Sequence, residues 1–209
     1  MTAETLPVIG SPTQTYFKPA LSEIKFGRMR FLITDRPTEY GLEHFINVLQ
    51  RYGVKTVVRV CSPTYAGDQL KKCGIEVVDW EFADGSPPPD EIIDKWLTLV
   101  ENYFGNLALS PMKDLGDGAV KIPANNLPSC LAVHCVAGLG RSPVMVGIAL
   151  LEAGMPVNDV IFLIRTHRRG ALNEKQLEFL KSYKSNGRLR KLRFVGCQEN
   201  KDRKNCSIM

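Results

Sequence analysis

The spacing of apolar residues changes period several times along the chain. Residues 29–34 form a short apolar run that reads as a strand. Pro37 and Thr38 then mark a helix start, and Leu42, Phe45, Ile46 and Leu49 fall on one helical face until Gly53 ends the element. Residues 54–60 are β-branched and read as a buried strand, and residues 75–80 as another. The stiff turn Gly85-Ser86-Pro87-Pro88-Pro89 leads into a helix whose face carries Ile92, Ile93, Trp96, Leu97 and Val100. Residues 105–129 are broken by Gly and Pro and read as loop. Residues 131–135 make a short buried strand, followed by a helix over 142–153 with Pro143 in a tolerated first-turn position. A further helix covers about 157–167. A last one starts near Asn173, where Asn173 and Gln176 form a capping-box pattern.

Strands alternating with helices predict a single α/β domain with a mainly parallel central sheet flanked by helices. Such sheets bind ligands outside the carboxyl ends of their strands, where the next helix begins. Residues 134–141 fill that place. Residues 1–25 lack periodicity and read as a loose N-terminal arm. The domain is expected over 26–195, with an insertion at about 106–129, and a basic tail over 196–209.

Composition narrows the class. Apolar residues make up 44% and charged residues 23% of the 209, a mix that supports a globular core. No internal repeat is visible, and no apolar run is long enough to suggest a membrane span. The first nine residues carry Glu4 and no basic stretch, which speaks against a secretory signal. The six cysteines include no C-x-x-C pair and the three histidines are scattered, so no metal site and no cofactor is expected. Free thiols in a reducing compartment are the default. Of the net charge of +5, residues 184–209 hold +6, which leaves the body slightly negative and unlike a nucleic-acid-binding surface.

The chemistry lies in His134-Cys135-Val136-Ala137-Gly138-Leu139-Gly140-Arg141-Ser142. Five residues between Cys135 and Arg141 suffice for an arc of backbone amides around one phosphate, formed by Val136, Ala137, Gly138, Leu139 and Gly140. Gly138 and Gly140 permit the necessary backbone angles. The following helix turns its positive end to the same point, which favours an anion there and a thiolate on Cys135. Arg141 offers a planar fork to two phosphate oxygens. Ser142 is placed to donate a hydrogen bond to the sulfur when it becomes a leaving group. His134 reads either as a residue orienting the loop through hydrogen bonds or as a plain core histidine. Expelling an alkoxide or phenoxide needs a proton from elsewhere. Asp84, on a loop after a strand and before the proline run, is the best candidate, against the reading of an exposed turn aspartate. Cys61 ends a neighbouring strand and reads first as a core thiol.

The loop belongs to the cysteine-dependent protein phosphatase pattern. Within it the sequence resembles the phosphatase of regenerating liver (PRL, type IVA protein tyrosine phosphatase) family of small prenylated dual-specificity phosphatases. The matching stretches are Met29-Arg30-Phe31-Leu32-Ile33-Thr34, Val58-Arg59-Val60-Cys61 with Thr64-Tyr65, residues 79–89, the catalytic loop, Arg168-Arg169-Gly170-Ala171 and the C-terminal box. The resemblance spans about residues 28–195 plus the end. It implies that Cys135 is the nucleophile, Arg141 the phosphate-binding arginine and Asp84 the general acid. It also implies a reversible disulfide between Cys61 and Cys135. Three departures stand out. Ala83 replaces the first of two lid aspartates, Ser142 stands where relatives often have Ala, and the segment near 106–129 is about twenty residues longer.

Cys206-Ser207-Ile208-Met209 fits a prenylation box, with terminal Met favouring farnesyl. Eight basic residues over 184–204 supply the second signal that one prenyl chain needs. The expected place is the cytoplasmic face of the plasma membrane or endomembranes, through an anionic lipid surface. The alternative is a solvated tail. The expected substrates are phosphorylated proteins, phosphotyrosine first. A phosphoinositide phosphatase is the runner-up, disfavoured by the apolar Val136, Ala137 and Leu139. The resemblance further implies binding to CBS-domain (cyclin-M type) magnesium transport regulators and a homo-oligomer.

Overall fold

A computed structural model describes residues 21–105 and 129–193. The first twenty residues, most of the insertion and the basic tail with Cys206 lie outside the described residues. Five strands form one sheet in the order β1-β2-β5-β3-β4. They are β1 (Leu21–Phe26), β2 (Met29–Thr34), β3 (Val54–Arg59), β4 (Glu76–Asp79) and β5 (Cys130–His134). All pairings are parallel except the β1–β2 hairpin. The helices are α1 (Leu42–Arg51), α2 (Asp68–Lys72), α3 (Asp90–Gly105), α4 (Arg141–Glu152), α5 (Val157–His167) and α6 (Glu174–Ser182).

The central strand β5 shows how the two layers arise. Successive side chains of a strand point to opposite faces. Leu131 and Val133 therefore enter the larger core with α3, α4, α5 and α6, while Cys130 and Ala132 enter the smaller core with α1. With helices on both faces, β5 is buried throughout and carries no polar residue before His134. Helix α4 lies wholly in the interior, and every one of its residues is buried. It accepts the Trp96 indole N–H at Met145 O, 2.7 Å away, which fixes α3 against it.

Two elements depart from expectation. Residues 21–25 are not part of a loose arm but of β1, paired along its length from Leu21↔Thr34 to Phe26↔Met29. Its apolar alternation is weak because the inward position before Ile24 is Ser22, whose hydroxyl is satisfied by His167 O at 2.8 Å. The turn between the strands needs Gly27, at φ +56°. Helix α2 was not anticipated. It spans five residues and anchors through Leu70 alone, too little for a periodic signal.

Candidate active site

The segment 135–140 runs from the end of β5 to the start of α4. Its carbonyls are held from outside. Val136 O accepts from Arg36 N at 3.1 Å and Leu139 O from Leu172 N at 2.7 Å. Between them, Ala137 O and Gly138 O accept from the Arg168 guanidinium at 2.7 and 2.5 Å. A trans peptide points its C=O and the next N–H to opposite sides. Four outward carbonyls therefore turn the amides of residues 137–140 inward, towards one centre. Gly138 adopts φ +66°, and a Cβ there would fall 2.3 Å from Arg168 Nη2 and 2.6 Å from Thr34 O. Arg168 is itself buried and also binds Asp35. It is a guanidinium locked behind the loop, not one facing a ligand.

Cys135 is 2% exposed at the foot of this arc, whereas Val136 and Leu139 face solvent at its rim. His134 below it is buried. Its Nδ1 lies 3.3 Å from Cys135 O and its Nε2 lies 2.7 Å from the Tyr65 hydroxyl. A carbonyl only accepts, so Nδ1 carries the proton and Nε2 accepts from Tyr65. Burial pushes the histidine down to about 4, so it is neutral at pH 7. Tyr65 is held in turn: its carbonyl accepts from Arg59, and the Arg59 guanidinium stacks 4.6 Å from its ring. Arg59 is paired with Asp79 at the end of β4. His134 thus fixes the backbone at Cys135.

Arg141 sits on the first turn of α4, and residues 82–84 of the segment after β4 pack onto it. Its Nη1 donates to Phe82 O at 3.1 Å, and its Nε lies 3.1 Å from Asp84 Oδ1. Gly85 O accepts from the Asn173 side chain at 3.2 Å, which ties the same segment to the cap of α6. Asp84 is consequently both solvent-exposed and in contact with the buried arginine, with its side chain 76% exposed. Cys61 follows β3, next to β5, in the same apolar cluster as Cys135, and both thiols are free. Burial pushes the Cys61 thiol up, and the Arg141 guanidinium opposes this.

Among the described residues, three buried side-chain polar atoms have no hydrogen-bond partner: Arg141 Nε, Ser142 Oγ and Gln176 Nε2. The Arg141–Asp84 contact is an ion pair without hydrogen-bond alignment. Gln176 Oε1 completes the α6 capping box with Asn173 N, leaving the amide nitrogen under Gly140. Native structures leave few such groups, and each calls for a reason. Here all three surround one loop. The sequence pointed to Cys135, Arg141, Ser142 and His134 because they are contiguous. It did not connect Arg168, Tyr65 or Gln176 with the loop, which they reach from far along the chain. The arginine pair at 168–169 was the only local signal for the first, and the capping box for the last.

An inward arc of amides closed over a buried cysteine, with an arginine at the start of the next helix, is the arrangement expected of a cysteine-dependent phosphatase. A solved protein tyrosine phosphatase structure from Leishmania major matches with TM-score 0.64 and 36% identity, covering 79% of this chain and 98% of that one. No family model matches the chain. Protein tyrosine phosphatase type IVA 3 of Homo sapiens is 47% identical over 173 residues, 83% of this chain and 89% of the relative. The PRL-1 phosphatase of Drosophila melanogaster is 38% identical over 195 residues, 93% and 96% of the two. The chain belongs to the type IVA protein tyrosine phosphatase family, the PRL phosphatases.

Proposed function

We propose that this family member hydrolyses phosphate monoesters of proteins, phosphotyrosine first, through a phosphocysteine. The observation that carries the reading is the set of unpartnered buried donors at Arg141, Ser142 and Gln176 around an arc of inward amides. A bound dianion would satisfy donors that the protein alone leaves unpaired.

The Cys135 sulfur attacks phosphorus in line with the leaving oxygen. Negative charge on the equatorial oxygens is met by the loop amides, the helix end and Arg141. Phosphate oxygens draw Arg141 away from Asp84, whose carboxyl gives its proton to the leaving oxygen. The Asp84 carboxylate then takes a proton from water as the water oxygen attacks phosphocysteine. Ser142 donates a hydrogen bond to the departing sulfur, and inorganic phosphate leaves. Val136 and Leu139 at the rim carry no cation, which supports a single phosphate on an aromatic side chain over a polyphosphorylated headgroup.

Cys61 fits a protective role. After peroxide converts Cys135 to a sulfenic acid, attack by the Cys61 sulfur would release water and leave a disulfide. The basic tail and Cys206 box fit a prenyl anchor on the cytoplasmic face of membranes. Binding of a CBS-domain transport regulator, alone or as an oligomer, would use the same loop and is the reading to separate from catalysis. A panel of phosphopeptides and phosphoinositides under reducing conditions tests the substrate class. Wild type should turn over phosphotyrosine peptides best and Cys135→Ser none. Preference for phosphoinositides, or equal release by Cys135→Ser, would contradict the proposal.

A further inference from the structure

The connection from β2 to α1 runs beside the catalytic loop and carries Arg36. The Arg36 backbone N–H donates to Val136 O at 3.1 Å, one residue beyond Cys135. The next residue, Pro37, is buried, and its ring fixes φ. The Thr38 side chain then accepts from Gly41 N at 3.1 Å. The connection is thus held at three successive residues, which gives Arg36 a set place at the loop. Its positive charge is felt at the His134 imidazole and at the Cys61 thiol, which stand at the ends of β5 and β3.

Other arginines that are buried or half-buried meet carboxylates. Arg30 pairs with Glu23, Arg59 with Asp79, Arg168 with Asp35, and Arg188 with Asp94 and Glu101. Arg36 is half-buried too, yet among the described residues no carboxylate lies within ion-pair distance of its guanidinium. Its chain neighbour Asp35 is engaged by Arg168. Glu81, whose charge also reaches Cys61, is engaged by the Ser62 hydroxyl. A fixed guanidinium without a counter-charge, next to a site for a phosphorylated side chain, is a receptor for a second anion on the same ligand. The loop's own rim is apolar, with Val136 44% and Leu139 40% exposed. One cation beside an apolar rim suits one carboxylate on a peptide. A headgroup with several phosphates would leave charges unmatched against Val136 and Leu139.

We propose that Arg36 is a specificity-determining residue that binds the carboxylate of an aspartate or glutamate flanking the phosphotyrosine. Its planar fork receives both carboxylate oxygens. This rests on the phosphotyrosine reading of the loop and adds a sequence preference to it.

The test uses the full chain under reducing conditions. A single glutamate is walked through the positions on either side of the phosphotyrosine in a peptide, and each peptide is matched by its glutamine counterpart. An aryl phosphate with no flank normalises for changes in loop chemistry. At one position glutamate should raise kcat/KM over glutamine by about fivefold, the size of a half-exposed ion pair, and through KM. High salt should erase the preference. Arg36→Gln should lose it, Arg36→Lys should keep part of it, and Arg36→Glu should reverse it in favour of lysine at that position. The wild-type ratio and its salt dependence are readable whatever the yield of the variants. No preference at any position, or one that resists salt or persists in Arg36→Gln, would overturn the subsite alone. Release from no peptide would overturn the phosphotyrosine reading with it. Faster release from a bisphosphorylated inositol headgroup than from the best peptide, lost in Arg36→Gln, would give the guanidinium a second phosphate and overturn the carboxylate.

Discussion

His134 shows how one residue ties sequence to both stability and chemistry. Because burial lowers it to about 4, the unfolded chain binds a proton that the folded chain does not between pH 6.5 and about 4. Stability attributable to this residue is full above pH 6.5, falls as pH drops through that window, and levels off below it. The loss is on the order of 3 kcal/mol. Urea unfolding across the window should show the slope in wild type and lose that part of it in His134→Gln. An unchanged slope would reject the assignment. In the proposed mechanism Ser142 acts in the second chemical step only. Ser142→Ala should therefore leave phosphocysteine formation intact and slow its hydrolysis, by about tenfold if one hydrogen bond of roughly 1.4 kcal/mol is lost. Burst kinetics separate the two steps, and a faster variant would sink the role. These residues could be read in the sequence because Cys135, the glycine-bearing arc and Arg141 are adjacent. Arg168 could not, since the carbonyls of Ala137 and Gly138 meet it only once α5 has brought it behind the loop.

At the scale of elements, the strands and helices with a full apolar face were legible, and the weakly patterned ones were not. β1 hides because Ser22 and Glu23 interrupt its apolar alternation, and their partners, His167 O and Arg30, become visible only in the fold. α2 hides because one buried leucine makes no period. The start of α6 was legible from Asn173 and Gln176, yet its second use was not. Asn173 both caps the helix, by accepting from Gln176 N at 2.9 Å, and donates to Gly85 O in the lid. Asn173→Ala should cost about 1 kcal/mol of stability as a lost cap. It should also lower turnover of alkyl phosphates more than of substrates with acidic phenol leaving groups, because residues 82–85 carry the proposed proton donor, Asp84. Equal losses for both substrates would confine Asn173 to capping.

For the molecule as a whole, the parallel sheet explains why the site lies where it does. β5 and α4 meet at the carboxyl edge, and the loop between them receives support from β2, β3, α5 and α6 together. Helix α4 and the β1–β2 hairpin hold the C-terminal turn at the opposite pole, through Glu152 and Arg28. The sequence showed a basic C-terminal region, but which of its residues belong to the folded body depends on the Glu152 contacts. Arg188, counted there as tail charge, is paired with Asp94 and Glu101 on α3.

The central claim is that the Cys135 sulfur takes the phosphoryl group. Asp84→Ala protein mixed with an activated aryl phosphate and quenched in acid, with peptide mass measured, tests it most directly. The account predicts one phosphoryl group on the peptide containing Cys135, accumulating because its hydrolysis lacks a base, and none on Cys135→Ser. Leaving-group release without any adduct on Cys135, or an adduct that persists in Cys135→Ser, would contradict it.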